Sequence, residues 1–280
     1  MKNAVVLGTF DGVHLGHKAV IEKAKGYCVT AVTFKKAPRA YFDGKTKALM
    51  ISEDRVRRLE TLGVTNTVML EFNSVKDISP IDFLDRIREE YNPSLICCGY
   101  NYHFGKNADG DTALLGEYCK KHKIELSVLE CVEIDKIPVS STLIREKISL
   151  GKIGEANKML GYNFGFKAEV VNGDKRGRTL GFPTINQAFP DELTLPLFGV
   201  YETRVTINSK TYRAITNIGH RPTFLTDKVF CETYIENFSG EIYGDTVDLR
   251  FIKFIREEKK FSSPDELKQT IAQDVKFVFD

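Results

Sequence analysis

His14 and His17 stand three residues apart in the stretch Gly8-Thr9-Phe10-Asp11-Gly12-Val13-His14-Leu15-Gly16-His17. In the first turn of a helix, residues three apart share a face, so both imidazoles could reach one phosphate. There they could stabilise the charge that grows on it during nucleotidyl transfer. The same spacing occurs in surface histidines and in metal ligands, but no carboxylate or cysteine nearby completes a zinc coordination sphere. Far downstream, Thr184 and Asn186 are two apart, so in an extended chain their oxygens point the same way and could share one Mg²⁺ with ATP phosphates. Glu232 alternates with Cys231 and Thr233, and a carboxylate projecting from such a strand can accept the proton of a sugar-like hydroxyl as it attacks phosphorus. Glu236, an even step along, shares its face and is the second choice for that role.

Two further stretches could hold phosphate. Val139-Ser140-Ser141-Thr142-Leu143-Ile144-Arg145 places three hydroxyls and then an arginine at a helix start. Hydroxyls and open N–H groups there can bind phosphate oxygens, and Arg145 can grip a polyphosphate bidentately. Gly173-Asp174-Lys175-Arg176-Gly177-Arg178-Thr179 is a basic glycine loop able to close over a polyphosphate. Such a loop also suits RNA, but no aromatic platform accompanies it.

The elements that must position these residues fall into two patterns. In the first half, apolar runs at Ala4–Leu7, Tyr27–Phe34, Thr67–Phe72, Leu95–Cys98 and Ile124–Val128 predict strands. Between them lie helical stretches: Lys18–Ala24, a segment from Ser52 closed by Gly63, and another opened by Ser79-Pro80. Alternation at this spacing predicts an α/β fold with a doubly wound, Rossmann-like parallel sheet, its ligand crevice beyond the carboxyl ends of the strands. The histidine loop follows the first strand, and Gly99-Tyr100-Asn101-Tyr102-His103-Phe104-Gly105 follows the fourth, so both would face that crevice. Helical text resumes from Leu143 to Leu160. Beyond Phe164, apolar and polar residues alternate over Phe166–Val171, Val200–Ile207, Tyr212–Ile218, Val229–Ile235 and Thr246–Ile255, with Asn208-Ser209 as a hairpin turn. That pattern predicts an antiparallel barrel or sandwich. Ser263-Pro264-Asp265-Glu266 opens a terminal helix with a capping box. The expected domains are residues 1–160 and 164–280.

Read together and in order, these motifs resemble a known family. GTFDGVHLGH and the SSTLIR segment resemble the two signatures of the nucleotidylyltransferase superfamily, and Phe10-Asp11-Gly12 narrows the likeness to the bacterial bifunctional riboflavin kinase and FAD synthetase family. Gly173 to Asn186 resembles the riboflavin kinase signature GxxxxGRxLGxPTxN. Asn217 to Phe224 and Arg256 to Phe261 match further family segments. The resemblance implies an N-terminal FMN adenylyltransferase domain using ATP, with Gly8, Thr9, Phe10, Asp11, Gly16, Ser141 and Thr142 at the nucleotide and His14, His17, Asn101 and Arg145 at the reacting phosphates. It implies a C-terminal riboflavin kinase, with Glu232 as base, Thr184 and Asn186 on Mg²⁺, Gly173, Lys175, Gly177, Arg178 and Thr179 around ATP, and Arg256 and Phe261 at the flavin. One segment departs from the family: where TFxPHP is usual, this chain has Thr33-Phe34-Lys35-Lys36-Ala37-Pro38, without the first proline and the histidine. A kinase whose first half only binds nucleotide, and a flavin- or RNA-binding regulator, are the rival readings.

Composition sets the bounds. The 280 residues suffice for two cores, and the hydrophobic and charged shares, 42% and 28%, are those of a globular protein. A net charge of +2 gives no reason to expect a nucleic-acid or membrane partner, and no apolar segment approaches bilayer-spanning length. The expected location is the cytoplasm. The six cysteines form no CxxC pair, which predicts free thiols rather than a zinc site or disulfides.

Overall fold

Ala4, Val5, Val6 and Leu7 are all buried, because β1 (Asn3–Leu7) lies at the middle of a five-stranded parallel sheet covered on both faces. Its companions are β2 (Cys28–Phe34), β3 (Asn66–Leu70), β4 (Leu95–Gly99) and β5 (Glu125–Leu129), in the order β3-β2-β1-β4-β5. The computed structural model describes residues 2–173, 177, 181–220, 228–259 and 261–279. The chain divides into two compact units, Met1–Leu143 and Ile144–Asp280.

Alternate residues of the sheet feed two cores. Ala4, Val6 and Ala31 pack against Val20 and Ile21 of α1 (Leu15–Glu22) and Leu59 of α3 (Ser52–Thr61). Val5, Leu7 and Val32 meet Phe83 and Leu84 of α5 (Pro80–Tyr91) and Leu115 of α6 (Thr112–His122) on the other face. The strand order reverses between the parallel strands β1 and β4, so the crevice of a doubly wound sheet opens at their carboxyl ends. Both expected site loops leave from there. Strand bounds differ from the sequence reading by a residue or two. The short helices α2 (Pro38–Asp43) and α4 (Phe72–Val75) and the hairpin β6 (Glu133–Ile134) and β7 (Ile137–Pro138) were not anticipated. The hairpin's turn puts Asp135 and Lys136 at positive φ, a conformation that aspartate favours and lysine does not.

The second unit is a closed antiparallel barrel. Its strands are β8 (Gly165–Val171), β9 (Thr184–Ala188), β10 (Gly199–Ile207), β11 (Lys210–His220), β12 (Val229–Ile235) and β13 (Thr246–Glu257), in the order β10-β11-β12-β9-β8-β13. Asn208 and Ser209, with φ of 47° and 67°, make the expected tight hairpin between β10 and β11. Inside, Thr216 hydrogen-bonds to Thr203 and to Thr233, each at 2.9 Å. The Gln187 amide donates to the carbonyls of Ala168 and Val247. These bonds explain how polar β9, short and preceded by Pro183, serves as an interior-facing strand. Two helices precede the barrel, α7 (Ser141–Ser149) and α8 (Ile153–Leu160). Asn157 ties α8 to the barrel, donating to Phe251 O at 2.9 Å and accepting from Phe164 N at 2.8 Å. The terminal helix α9 (Pro264–Phe279) starts at the predicted proline, and Ser263 Oγ accepts from Glu266 N. The returning bond of the box differs: the Glu266 carboxylate takes the N–H and hydroxyl of Ser262. All six cysteines are free, and burial pushes the Cys97 and Cys98 thiols up to about 12.

Candidate active sites

The first unit holds a cavity of about 1000 Å³ at the carboxyl ends of β1 and β4. Three segments distant in sequence supply its polar end: Gly8, Thr9, Phe10, His14, Gly16 and His17 from the first loop, Asn101 after β4, and Ser141 and Thr142 at the start of α7. His14 caps α1, its Nδ1 accepting from His17 N at 3.4 Å. That bond leaves the proton of a neutral His14 on Nε2. The two rings stack with centroids 3.7 Å apart and 18° between planes, and Phe10 meets His17 edge-on at 5.2 Å. Gly16 lies tight against this stack: a Cβ there would lie 3.1 Å from the His14 ring, so the ring would have to shift. The backbone between β1 and α1 is left-handed at Phe10 (φ 45°), Gly12 (φ 77°) and Val13 (φ 37°). For a β-branched residue such a φ is strained, and strain of this kind persists only where surrounding bonds hold it.

Those bonds are present. Thr33 Oγ1 donates to Thr9 O at 2.7 Å, and Ser141 Oγ donates to Asp11 O at 3.0 Å, joining the two expected signatures. Asp11 itself is 2% exposed and does not line the cavity; its Oδ1 accepts from Leu49 N at 2.8 Å. Its place is therefore under the loop. Burial, then the charges of His14 and Arg55, hold the His17 imidazole well below the usual histidine range. It is neutral at pH 7, and its Nδ1 is buried without a hydrogen-bond partner among the described residues. Arg145 lies on α7, one turn beyond Ser141. Another part of the cavity's lining is aromatic, with Phe34, Phe42 and Phe72 on it and Phe72 in ring contact with Phe34, Tyr41 and Phe42. Sequence reasoning missed this cluster, since its members come from a strand end and two helices of six and four residues.

In the second unit the register does the positioning. Across β11, β12 and β9, Asn217 pairs with Glu232 and Glu232 with Asn186, while Thr184 lies opposite Tyr234. Cys231, Thr233 and Ile235 are buried and face the barrel interior, so Glu232, Tyr234 and Glu236 face outward; by register Asn186 and Thr184 share that face, Asn186 being nonetheless buried. Asn217, Glu232 and Asn186 thus form one row on the outer wall. Glu236, on the same face, is 3.9 Å from Arg213. Gly177 comes beside this row: a Cβ on it would be 3.3 Å from Thr184 Oγ1 and only 2.3 Å from Phe182 O, so glycine is needed at this approach. Gly173 ends the chain described after β8, whereas Lys175, Arg178 and Thr179 lie outside the described residues. A cavity of about 290 Å³ adjoins Thr184, walled by Val170, Ile185, Thr233, Phe238 and Tyr243. Arg256 grips the Asp274 carboxylate of α9 bidentately at 2.8 and 3.1 Å, with its guanidinium 6.0 Å from the Phe261 ring. Among the described residues no cluster of three His, Cys, Asp or Glu side chains could hold a metal ion by itself. The donor set at Thr184 and Asn186 is neutral oxygen, which fits Mg²⁺ arriving with its phosphates.

A histidine loop at the switch point of a parallel sheet, followed in the same chain by a barrel carrying a Thr, Asn and Glu set, defines a two-site nucleotide-using transferase. The FAD synthetase family model matches residues 1–143, and the riboflavin kinase model matches residues 160–279. The chain is 32% identical to the bifunctional riboflavin kinase/FMN adenylyltransferase of Listeria monocytogenes, covering 98% of this chain and 90% of the relative. The Bacillus subtilis protein of that name is also 32% identical, with the same coverage. A crystal structure from Streptococcus pneumoniae, described as a macrolide-efflux protein, superposes with a TM-score of 0.90 at 30% identity, covering 99% of this chain and 93% of that one. No described helix of the present chain is long and apolar enough to cross a membrane. The chain belongs to the bifunctional riboflavin kinase/FMN adenylyltransferase family.

Proposed function

We infer that the chain makes FAD from riboflavin in two ATP-dependent steps, phosphorylation to FMN and then adenylylation of FMN. The division of labour follows the sequence boundary, with adenylyl transfer in residues 1–160 and the kinase in residues 164–280. In the kinase step Glu232 accepts the proton of the riboflavin 5′-hydroxyl as that oxygen attacks the γ-phosphorus of ATP. The bond from γ-phosphorus to the bridging oxygen breaks and ADP leaves. Thr184 and Asn186 hold the Mg²⁺, which supplies charge neutralisation on the phosphates. Gly173, Lys175, Gly177, Arg178 and Thr179 belong to the loop over those phosphates, the small cavity beside Thr184 takes the nucleoside, and Arg256 with Phe261 contacts the flavin. The observation that carries this assignment is the register pairing of Glu232 with Asn186, which puts base and metal ligand side by side on one face.

In the adenylyl step an FMN phosphate oxygen attacks the α-phosphorus of a second ATP, and pyrophosphate leaves. The nucleophile is already ionised, so positioning and charge stabilisation suffice. His14 and neutral His17 donate N–H to the developing charge, assisted by Asn101, Ser141, Thr142 and Arg145. Gly8, Thr9, Phe10 and Gly16 let the backbone approach ATP, with Asp11 bracing the loop beneath. The aromatic lining at Phe34, Phe42 and Phe72 accommodates the isoalloxazine ring, in place of the contacts that TFxPHP would make. The partners are small molecules in the cytoplasm, with neither nucleic acid nor membrane required. Two separate product assays test the reading: ADP from riboflavin with MgATP, and pyrophosphate from FMN with MgATP. Release of ADP without pyrophosphate would reduce the first unit to a nucleotide-binding domain.

A further inference from the structure

Arg55 is a cation where the fold has little reason to tolerate one. It sits on α3 and is only 3% exposed, in a helix whose other inward residues include Leu59 of the core. Burying a guanidinium costs several kcal/mol, on the order of the desolvation penalty of any ion, unless specific partners repay it. Its partners are specific. Nη2 donates to Phe34 O at 2.8 Å and to Lys35 O at 2.9 Å, the two carbonyls at the carboxyl end of β2. Nε is buried with no hydrogen-bond partner among the described residues. The Asp11 carboxylate lies close enough to offset part of the burial that depresses the guanidinium's pKa.

These contacts lead to the histidines by short covalent and hydrogen-bonded paths. The strand end that Arg55 clamps is bonded to the histidine loop at two points, Gly8 N to Val32 O at 3.3 Å and Thr33 Oγ1 to Thr9 O. From the other side, Asp11 of that loop binds Leu49 N, three residues before α3 begins. Loop, strand end and helix start are thus tied around one buried arginine. We propose that Arg55 is a positioning residue for adenylyl transfer, touching no reacting atom but holding the left-handed loop so that the stacked imidazoles face the α-phosphate of ATP. The proposal rests on the adenylyl-transfer reading of this cavity. Arg55 has a second effect on the same rings. The charges that bear on His17 are those of His14 in the loop and Arg55 on α3, and both oppose its protonation. With Arg55 in place His17 enters the reaction uncharged, as an N–H donor.

The test uses the full chain with Arg55→Met and Arg55→Lys, assayed for pyrophosphate release from FMN and MgATP between pH 5 and 9, with ADP release from riboflavin as the internal control. A loop displaced by about 1 Å loses on the order of 10²-fold in rate. Arg55→Met is therefore expected to lower kcat about that much with KM for ATP little changed. Its acid limb should move to higher pH, because a cation opposing His17 protonation has gone. Arg55→Lys keeps the charge, so its acid limb should stay at the wild-type pH while kcat recovers in part. Kinase activity should be unaffected by either change. The proposal is overturned if Arg55→Met keeps wild-type kcat, or if its loss comes with an unmoved acid limb. Should Arg55→Met fail to fold, seen by its thermal transition, Arg55→Lys decides: wild-type kcat, or an acid limb displaced from the wild-type pH, refutes the role. If wild-type protein released no pyrophosphate at all, the adenylyl-transfer reading would fail instead, which His17→Ala in parallel makes distinguishable.

Discussion

Replacing Glu232 with Gln removes one oxygen's worth of basicity and leaves the rest of the kinase site standing. Glu232 is exposed on the outer wall of the barrel, opposite Asn186 on one side and Asn217 on the other. Gln is isosteric and exposed, so folding stability should change by no more than about 0.5 kcal/mol. Thr184 and Asn186 are untouched, and KM for ATP should hold. General-base removal costs about 10²–10⁴-fold in rate. Water reaches this position and can deputise in part, so the lower half of that range is expected, about 10²–10³-fold. That corresponds to about 3–4 kcal/mol of transition-state stabilisation. The assay is FMN formation from riboflavin and MgATP, separated by chromatography and read by flavin fluorescence, with FAD formation from supplied FMN run on the same preparation. Kinase turnover within threefold of wild type would refute the role of Glu232 and move attention to Glu236. An equal fall in both activities would refute the assignment of one reaction to each unit.

The complementary variant, His17→Ala, should lower pyrophosphate release from FMN and ATP by about 10²–10³-fold, the usual loss when one donor to a developing charge is removed; kinase output should be unchanged. Thr184→Val deletes one of two neutral oxygens offered to Mg²⁺, so the Mg²⁺ needed for half-maximal kinase activity should rise about tenfold, the scale on which one metal contact acts; a Mg²⁺ titration giving the wild-type midpoint would refute that placement. Asp11→Ala leaves the Leu49 N–H without its acceptor, which costs about 1–3 kcal/mol, and urea unfolding of the first unit should report it. Stability should also depend on His17: its folded pKa is depressed, so stability present above the unfolded value of 6.5 is lost as pH falls below it, and His17→Gln should flatten that slope in thermal melts between pH 7 and 5.

Much of this molecule can be read before any coordinates exist, and the reasons are local. Ala4–Leu7 and Leu95–Gly99 are continuous apolar runs because both faces of those strands are covered, and Ser79-Pro80 announces a helix by capping chemistry that acts within four residues. The alternation along Val229–Ile235 already tells which face of β12 Glu232 takes. Contacts made only by tertiary structure stay hidden. The left-handed backbone at Phe10 and Val13 is imposed by bonds to Thr33 and Ser141, far away in the chain. β9 is absent from the alternating runs that predict strands, because Gln187 finds its carbonyl partners only once the barrel closes. Arg55 looks like any helix-surface arginine until α3 is laid on the sheet, and Asp11, expected at the nucleotide, turns out to brace the loop from below.

The central claim is that one polypeptide carries riboflavin all the way to FAD. Purified full-length protein incubated with riboflavin, ATP and Mg²⁺, sampled over time and resolved by chromatography, should yield FMN first and FAD after it, with ADP and pyrophosphate accumulating in step. Riboflavin that stays unchanged, or FMN that accumulates while no FAD or pyrophosphate forms, would contradict it.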